Sequence, residues 1–229
     1  DRATAVYRKL GLAQEQRVLL MLPDVPQFAS AWFAAVKAGA VVSAVNPDLK
    51  ADEVRYYLQY TRAKILVCDA VTLPALSEVR AECPHLEHVL VLGNPAGSPH
   101  LDFDAELKRA SPDPAFADTH KDDAAVWLYT SGSTGFPKAA VHKHHDFVFN
   151  ALTYALPLVG YGPKDVCVSV PRLAFGYALG TNLLFPLLAG GATALFREKA
   201  TPEKLFEVIK KHRPTLFTGV PTSLNQIVN

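Results

Sequence analysis

The chain has 229 residues, 49% of them hydrophobic and 20% charged, so it can bury a core as one large domain or two small ones, which excludes disorder as its dominant state. Its 23 basic and 22 acidic side chains leave a formal net charge of +1, which gives neither nucleic acid nor an anionic membrane surface anything to hold. The densest basic cluster, Lys210, Lys211, His212 and Arg213, falls at the end of a predicted helix, where cations complement the terminus.

Cys68, Cys83 and Cys167 form no C-x-x-C pair, and Cys68 and Cys167 sit inside apolar runs. That usage fits thiols in a reducing cytosol better than a disulfide scaffold. No apolar run reaches the ~18 residues that a membrane-spanning helix needs. The chain opens Asp1-Arg2 and stops at Asn229 without closing signals, so it is expected to be a piece of a larger protein.

In chain order, residues 17–22 form a short apolar run ending at Pro23. Phe28, Ala31, Trp32, Ala35 and Val36 then mark one helical face, with Pro26 at its start and Gly39 past its end. A strand is expected over 40–45, a helix carrying Val54, Tyr57, Leu58 and Thr61, and strands over 65–68 and 89–92 around a helix with Leu76, Val79 and Cys83. Strand and helix alternating at this spacing predict a parallel sheet covered by helices, with strands buried on both faces. Residues 93–123 turn to Pro, Gly, Asp and Ser, with a helical patch around Leu107. The expected organisation is therefore a first α/β subdomain over 1–92, a connecting segment over 93–123, and a second α/β subdomain over 124–229.

In that second part, strands are expected over 125–130, 138–142, 166–170, 192–196 and 215–217, with a helix over 147–156. A helix or loop runs through Leu188, and a further helix has Thr201 as its N-cap and Pro202 in its first position.

The stretch with most chemistry is Thr130-Ser131-Gly132-Ser133-Thr134-Gly135-Phe136-Pro137-Lys138. Hydroxyls and glycines follow directly on a strand, and a lysine closes the run. Glycines allow close backbone approach, loop N–H groups and hydroxyls can donate inward, and the lysine adds charge, so phosphate is the natural guest. The string is not the P-loop G-x-x-x-x-G-K-S/T, because five residues on from Gly132 stands Pro137. No G-x-G-x-x-G fingerprint occurs either. On composition alone, a flexible polar loop between two strands explains the stretch equally well.

Tyr129 through Lys138 resemble, position by position, the phosphate loop of the adenylate-forming (AMP-binding) superfamily, Y-T-S-G-S/T-T-G-x-P-K-G. The departure is Ala139, where that family usually has glycine. Similarity extends over essentially the whole chain: residues 18–69 with Lys37-Ala38-Gly39-Ala40 and Asn46-Pro47, the aromatic-glycine segment Phe175-Gly176-Tyr177-Ala178-Leu179-Gly180, and Val220-Pro221-Thr222. Trp127-Leu128-Tyr129, Val141-His142 and the spacing Phe175-x-Tyr177-x-Leu179-Gly180 are most like the benzoate-CoA ligase group.

This resemblance implies the incomplete amino-terminal domain of an enzyme that activates an aryl or similar acid with ATP and passes it to CoA. Thr130, Ser131, Gly132, Ser133, Thr134, Gly135 and Lys138 would cradle the β- and γ-phosphates, and Mg²⁺ is implied by the polyphosphate. Phe175 and Tyr177 would wall the acyl site with Ala178, Gly180 and Thr181 beside them, although without the resemblance the two rings read more readily as core. The family's Y-G-x-T-E segment, ribose aspartate and carboxy-terminal catalytic lysine have no match here. No catalytic residue is therefore assigned, and residues 1–229 alone are expected to be inactive.

Two other classes stay open at the level of sequence. One is a non-catalytic nucleotide-binding module. The other is a metal-dependent hydrolase, because His142, His144 and Asp146 begin an H-x-H-x-D pattern, although Phe147 stands where its next histidine would be.

Overall fold

A computed structural model describes residues 1–130 and 135–228, the last three of these by backbone alone. The chain divides into two compact units, the first made of residues 1–22 and 27–143, the second of residues 23–26 and those from 144 onward.

The first unit opens with α1 (Arg2–Lys9), a helix without a sequence expectation. Its Tyr7 is fully buried and donates its hydroxyl to the Ala31 carbonyl at 3.2 Å, which satisfies the one polar atom of that ring. β1 (Arg17–Met21), α2 (Pro26–Lys37), β2 (Val41–Ala44), α3 (Ala51–Thr61), β3 (Ile65–Asp69), α4 (Leu73–Val79) and β4 (His88–Leu92) then alternate as expected. α2 turns Phe28, Ala31, Trp32 and Ala35 inward. It stops before Gly39, whose φ of +77° suits glycine and where a Cβ would lie 2.9 Å from that of Ala117.

The strands pair in parallel and are buried almost throughout, which is why they read as continuous apolar runs. β5 (Leu101–Asp102) adds beside β4 and leads into α5 (Phe103–Arg109), capped by the Asp102 carboxylate, which accepts from the Ala105 N–H at 2.7 Å. β6 (Ala124–Thr130) joins the same sheet parallel to β2, and β7 (Lys138–Lys143) pairs with β6 antiparallel. The seven strands run in the order β5-β4-β3-β1-β2-β6-β7. Residues 124–143, expected to open a second subdomain, thus extend the first sheet. Under that sheet, Leu19, Met21, Leu66, Cys68 and Val91 pack with Val54, Leu58 and Leu76 from the helices.

The second unit holds a three-stranded parallel sheet, β8 (Val166–Ser169) between β9 (Ala192–Thr193) and β10 (Leu216–Thr218). α6 (His144–Asn150) continues as a π-helical run over Ala151–Val159 that contains Pro157. A proline inside a helix lacks the N–H and clashes with the carbonyl one turn back, and a wider turn relieves both. α7 (Gly176–Leu179), a π-helical turn over Gly180–Leu184 and α8 (Phe185–Leu188) follow one another. α9 (Pro202–His212) starts as expected, with the Thr201 hydroxyl accepting from the Lys204 N–H at 3.3 Å, and α10 (Pro221–Val228) closes the described chain. Val168, Ala194 and Val208 form the small core behind this sheet.

All three cysteines are free and buried. Burial, with a neighbouring carboxylate, pushes the Cys68 thiol up to about 12 and that of Cys167 up to about 11, so both behave as small hydrophobes. No helix among the described residues is long and apolar enough to cross a membrane.

Candidate functional site

The glycine- and hydroxyl-rich stretch connects β6 to β7. Its central residues Ser131, Gly132, Ser133 and Thr134 lie outside the described residues. The two ends are described, and the antiparallel register places Thr130 directly opposite Lys138. Gly135 has a φ of +88°, with nothing near the position of a Cβ, so conformation and not space asks for glycine there. Lys138 is exposed. The Thr130 hydroxyl donates to the Lys138 carbonyl at 3.5 Å, so at these two ends the exposed Lys138 ammonium is the group that suits an anion.

The side chains that hold this rim come from α3. Tyr56 and Tyr60 stand one helical turn apart and stack at 5.5 Å. The Tyr56 hydroxyl donates to the Pro137 carbonyl, and the Phe136 ring stacks on Tyr56 at 5.2 Å. The Ala139 N–H donates to the Tyr60 hydroxyl at 3.2 Å. Between them Tyr57 meets Tyr129 edge-on at 4.7 Å, and the Tyr129 hydroxyl shares a 3.0 Å hydrogen bond with that of Ser43 on β2. Burial holds the Tyr129 hydroxyl protonated far above neutral pH. Tyr57 belongs to the helical face that the sequence predicts, whereas Tyr56 and Tyr60 carry no expectation there. The signal was the Y-Y-x-x-Y spacing, which sets two rings on one side of a helix. Ala139, the departure from the family string, sits in regular strand pairing opposite Tyr129.

In the second unit, Phe175 and Tyr177 are both 57% exposed, so here they are surface and not core. Their backbone is tied down: the Phe175 N–H donates to the Arg172 carbonyl at 2.9 Å, and the Thr181 hydroxyl donates to the Tyr177 carbonyl at 2.9 Å. The Tyr161 hydroxyl in turn donates to the Thr181 carbonyl at 3.0 Å. Ala178 is fully buried and presents no surface of its own. At Gly180 a Cβ would come 3.1 Å from the Phe185 ring, so this glycine makes room for a buried aromatic. Just upstream, the buried Asp24 carboxylate accepts from the Leu173 N–H at 3.0 Å. Burial pushes its carboxyl up to about 6, although the Leu173 N–H and the nearby Arg172 pull the other way.

His142 lies on β7, and His144 and Asp146 lie on α6. Among the described residues no group of three or more His, Cys, Asp or Glu side chains is placed to hold a metal ion.

The arrangement defines an α/β protein whose mostly parallel sheet has a glycine- and hydroxyl-rich stretch, ending in a lysine, between its antiparallel strands β6 and β7. The profile of the AMP-binding enzyme family matches residues 1–229, and the chain belongs to that family. It is 38% identical over 219 residues to the benzoate–CoA ligase of Thauera aromatica, a match covering 96% of this chain and 41% of that protein. The crystal structure of a benzoate CoA ligase from Burkholderia xenovorans superposes with a TM-score of 0.89 at 30% identity, over 99% of this chain and 44% of that one. An anthranilate CoA ligase in complex with anthranoyl-AMP superposes with a TM-score of 0.91 at 28% identity, over 94% of this chain and 42% of its own. The chain thus spans about two fifths of the length of the curated relatives it matches.

Proposed function

We propose that the protein containing this chain is an AMP-forming acid–CoA ligase acting on an aryl carboxylic acid. A carboxylate oxygen of the acid attacks the α-phosphorus of ATP, the bond to pyrophosphate breaks, and acyl-AMP forms. The CoA sulfur then attacks the acyl carbon, and AMP leaves with the bonding electrons. Such transfers ask a protein mainly for positioning and charge stabilisation.

Thr130, Ser131, Gly132, Ser133, Thr134, Gly135 and Lys138 are assigned to the β- and γ-phosphates. Phe175 and Tyr177 are assigned to the acyl wall, with Gly180 and Thr181 next to them and Ala178 behind. Mg²⁺ accompanies the polyphosphate in this reading. No catalytic group is assigned within residues 1–229. Buried, free thiols agree with a cytosolic location.

The observation that carries the proposal is the unbroken string from Thr130 to Lys138 on the β6–β7 turn of a chain 38% identical to a benzoate–CoA ligase. The test is pyrophosphate release by the whole protein across a panel of aryl and alkyl acids. Release that depends on an aryl acid supports the ligase. ATP binding without acid-dependent release would instead identify a nucleotide-binding module.

A further inference from the structure

Lys138 is flanked on both sides by backbone groups that α3 holds through tyrosine hydroxyls. On one side the Tyr56 hydroxyl donates to the Pro137 carbonyl, and on the other the Ala139 N–H donates to the Tyr60 hydroxyl at 3.2 Å. The rings are braced in turn, Tyr56 by Phe136 at 5.2 Å and Tyr60 by Trp127 at 6.1 Å. These are tertiary bonds between residues 81 and 79 positions apart, not part of the β6–β7 ladder. A long, flexible lysine places its ammonium well only if its own backbone is fixed, and two anchored neighbours fix it.

We propose that Tyr56 and Tyr60 are positioning residues for Lys138, clasping the peptide groups before and after it so that its ammonium meets the nucleotide phosphates in one geometry. This rests on the assignment of Lys138 to ATP made above. The Tyr56 hydroxyl is protonated at neutral pH at its ordinary value and is able to donate, and burial, reinforced by Tyr60, pushes it higher still. Neither tyrosine touches substrate, and both act through the lysine.

Tyr56→Phe and Tyr60→Phe keep the rings and their stacking while removing one hydroxyl each, and both are made in the whole protein with Lys138 intact and again with Lys138→Ala. With Lys138 present, each is expected to lower kcat/KM for ATP roughly three- to tenfold, the range of one lost hydrogen bond, to leave KM for the acid unchanged, and to lower the melting midpoint by no more than about 2–4 °C. In the Lys138→Ala background the same changes are expected to have no further effect, because the group they position is gone. Amide exchange of the 136–143 segment without ligand should quicken in Tyr60→Phe, which frees the Ala139 N–H.

Equal losses in both backgrounds, or wild-type kinetics in both tyrosine variants while Lys138→Ala is impaired, would overturn the clasp and leave the ATP assignment standing. A Lys138→Ala protein with wild-type ATP kinetics would overturn that assignment and the clasp with it.

Discussion

The two stretches assigned to ligand are held in opposite ways. At the rim of the β6–β7 turn, side chains of a distant helix reach across to backbone groups on either side of Lys138. Along Phe175–Thr181, the segment is tied mainly by its own neighbours, and its two rings are left to solvent. The difference matches what the proposed assignments ask of each surface. A charge meeting phosphate loses most of its effect when misplaced by about an ångström, whereas an apolar wall sets a size limit and tolerates small shifts.

Leu66 is fully buried in the large cluster under the seven-stranded sheet, and Val208 is buried beside Val168 and Ala194 in the second unit. Leu66→Ala should cost ~2–5 kcal/mol of stability, the usual range for a close-packed leucine. Val208→Ala removes fewer atoms and should cost less. Chemical denaturation of the two variants checks this, and a larger loss in Val208→Ala than in Leu66→Ala would contradict it.

Asp24 gives a pH-dependent version of the comparison, because it holds the backbone just ahead of the exposed rings. In the folded chain its carboxyl keeps its proton up to about 6, against an ordinary value of 3.8. The folded state therefore binds more protons between those values, and stability falls as pH rises through that window. Asp24→Asn retains an oxygen acceptor for the Leu173 N–H but cannot ionise. It should match the parent near pH 4 and exceed it well above pH 6 by on the order of 3 kcal/mol. Urea midpoints measured from pH 4 to 7 test the sign, and a variant that is less stable at neutral pH would show that the charged carboxylate is favoured by the fold.

The smallest effect is expected at the wall. Tyr177→Ala removes an exposed ring and should move the preference among substituted benzoates toward bulkier acids by roughly tenfold, with little change in stability. An unchanged ranking of kcat/KM across the panel would remove Tyr177 from the acyl site.

Much of this architecture could be read from the chain because the physics was local. The runs at β1, β3 and β4 are apolar because both faces are buried, and Thr201-Pro202 announces a helix start through one hydroxyl and one fixed φ. What stayed hidden depended on distant partners. The grouping of β6 with β2 could not be inferred from the Pro- and Gly-rich stretch before it, which resembles a linker yet contains α5 and leads back to the same sheet. Tyr56 and Tyr60 read as ordinary positions on α3 until β6 and β7 were laid beside them. The exposure of Phe175 and Tyr177 was likewise open, since aromatic residues at that spacing suit a core as well as a surface.

The assignment of the β6–β7 turn to ATP is most directly tested by acid-dependent ATP–pyrophosphate exchange in the whole protein, comparing Lys138→Ala with the parent. Loss of a charge-assisted hydrogen bond typically costs ~1.5–3 kcal/mol, so exchange should slow roughly ten- to a hundredfold while the melting midpoint and the affinity for the acid stay in place. Exchange at the parental rate in Lys138→Ala would mean that this lysine does not meet the phosphates, and the turn would need another role.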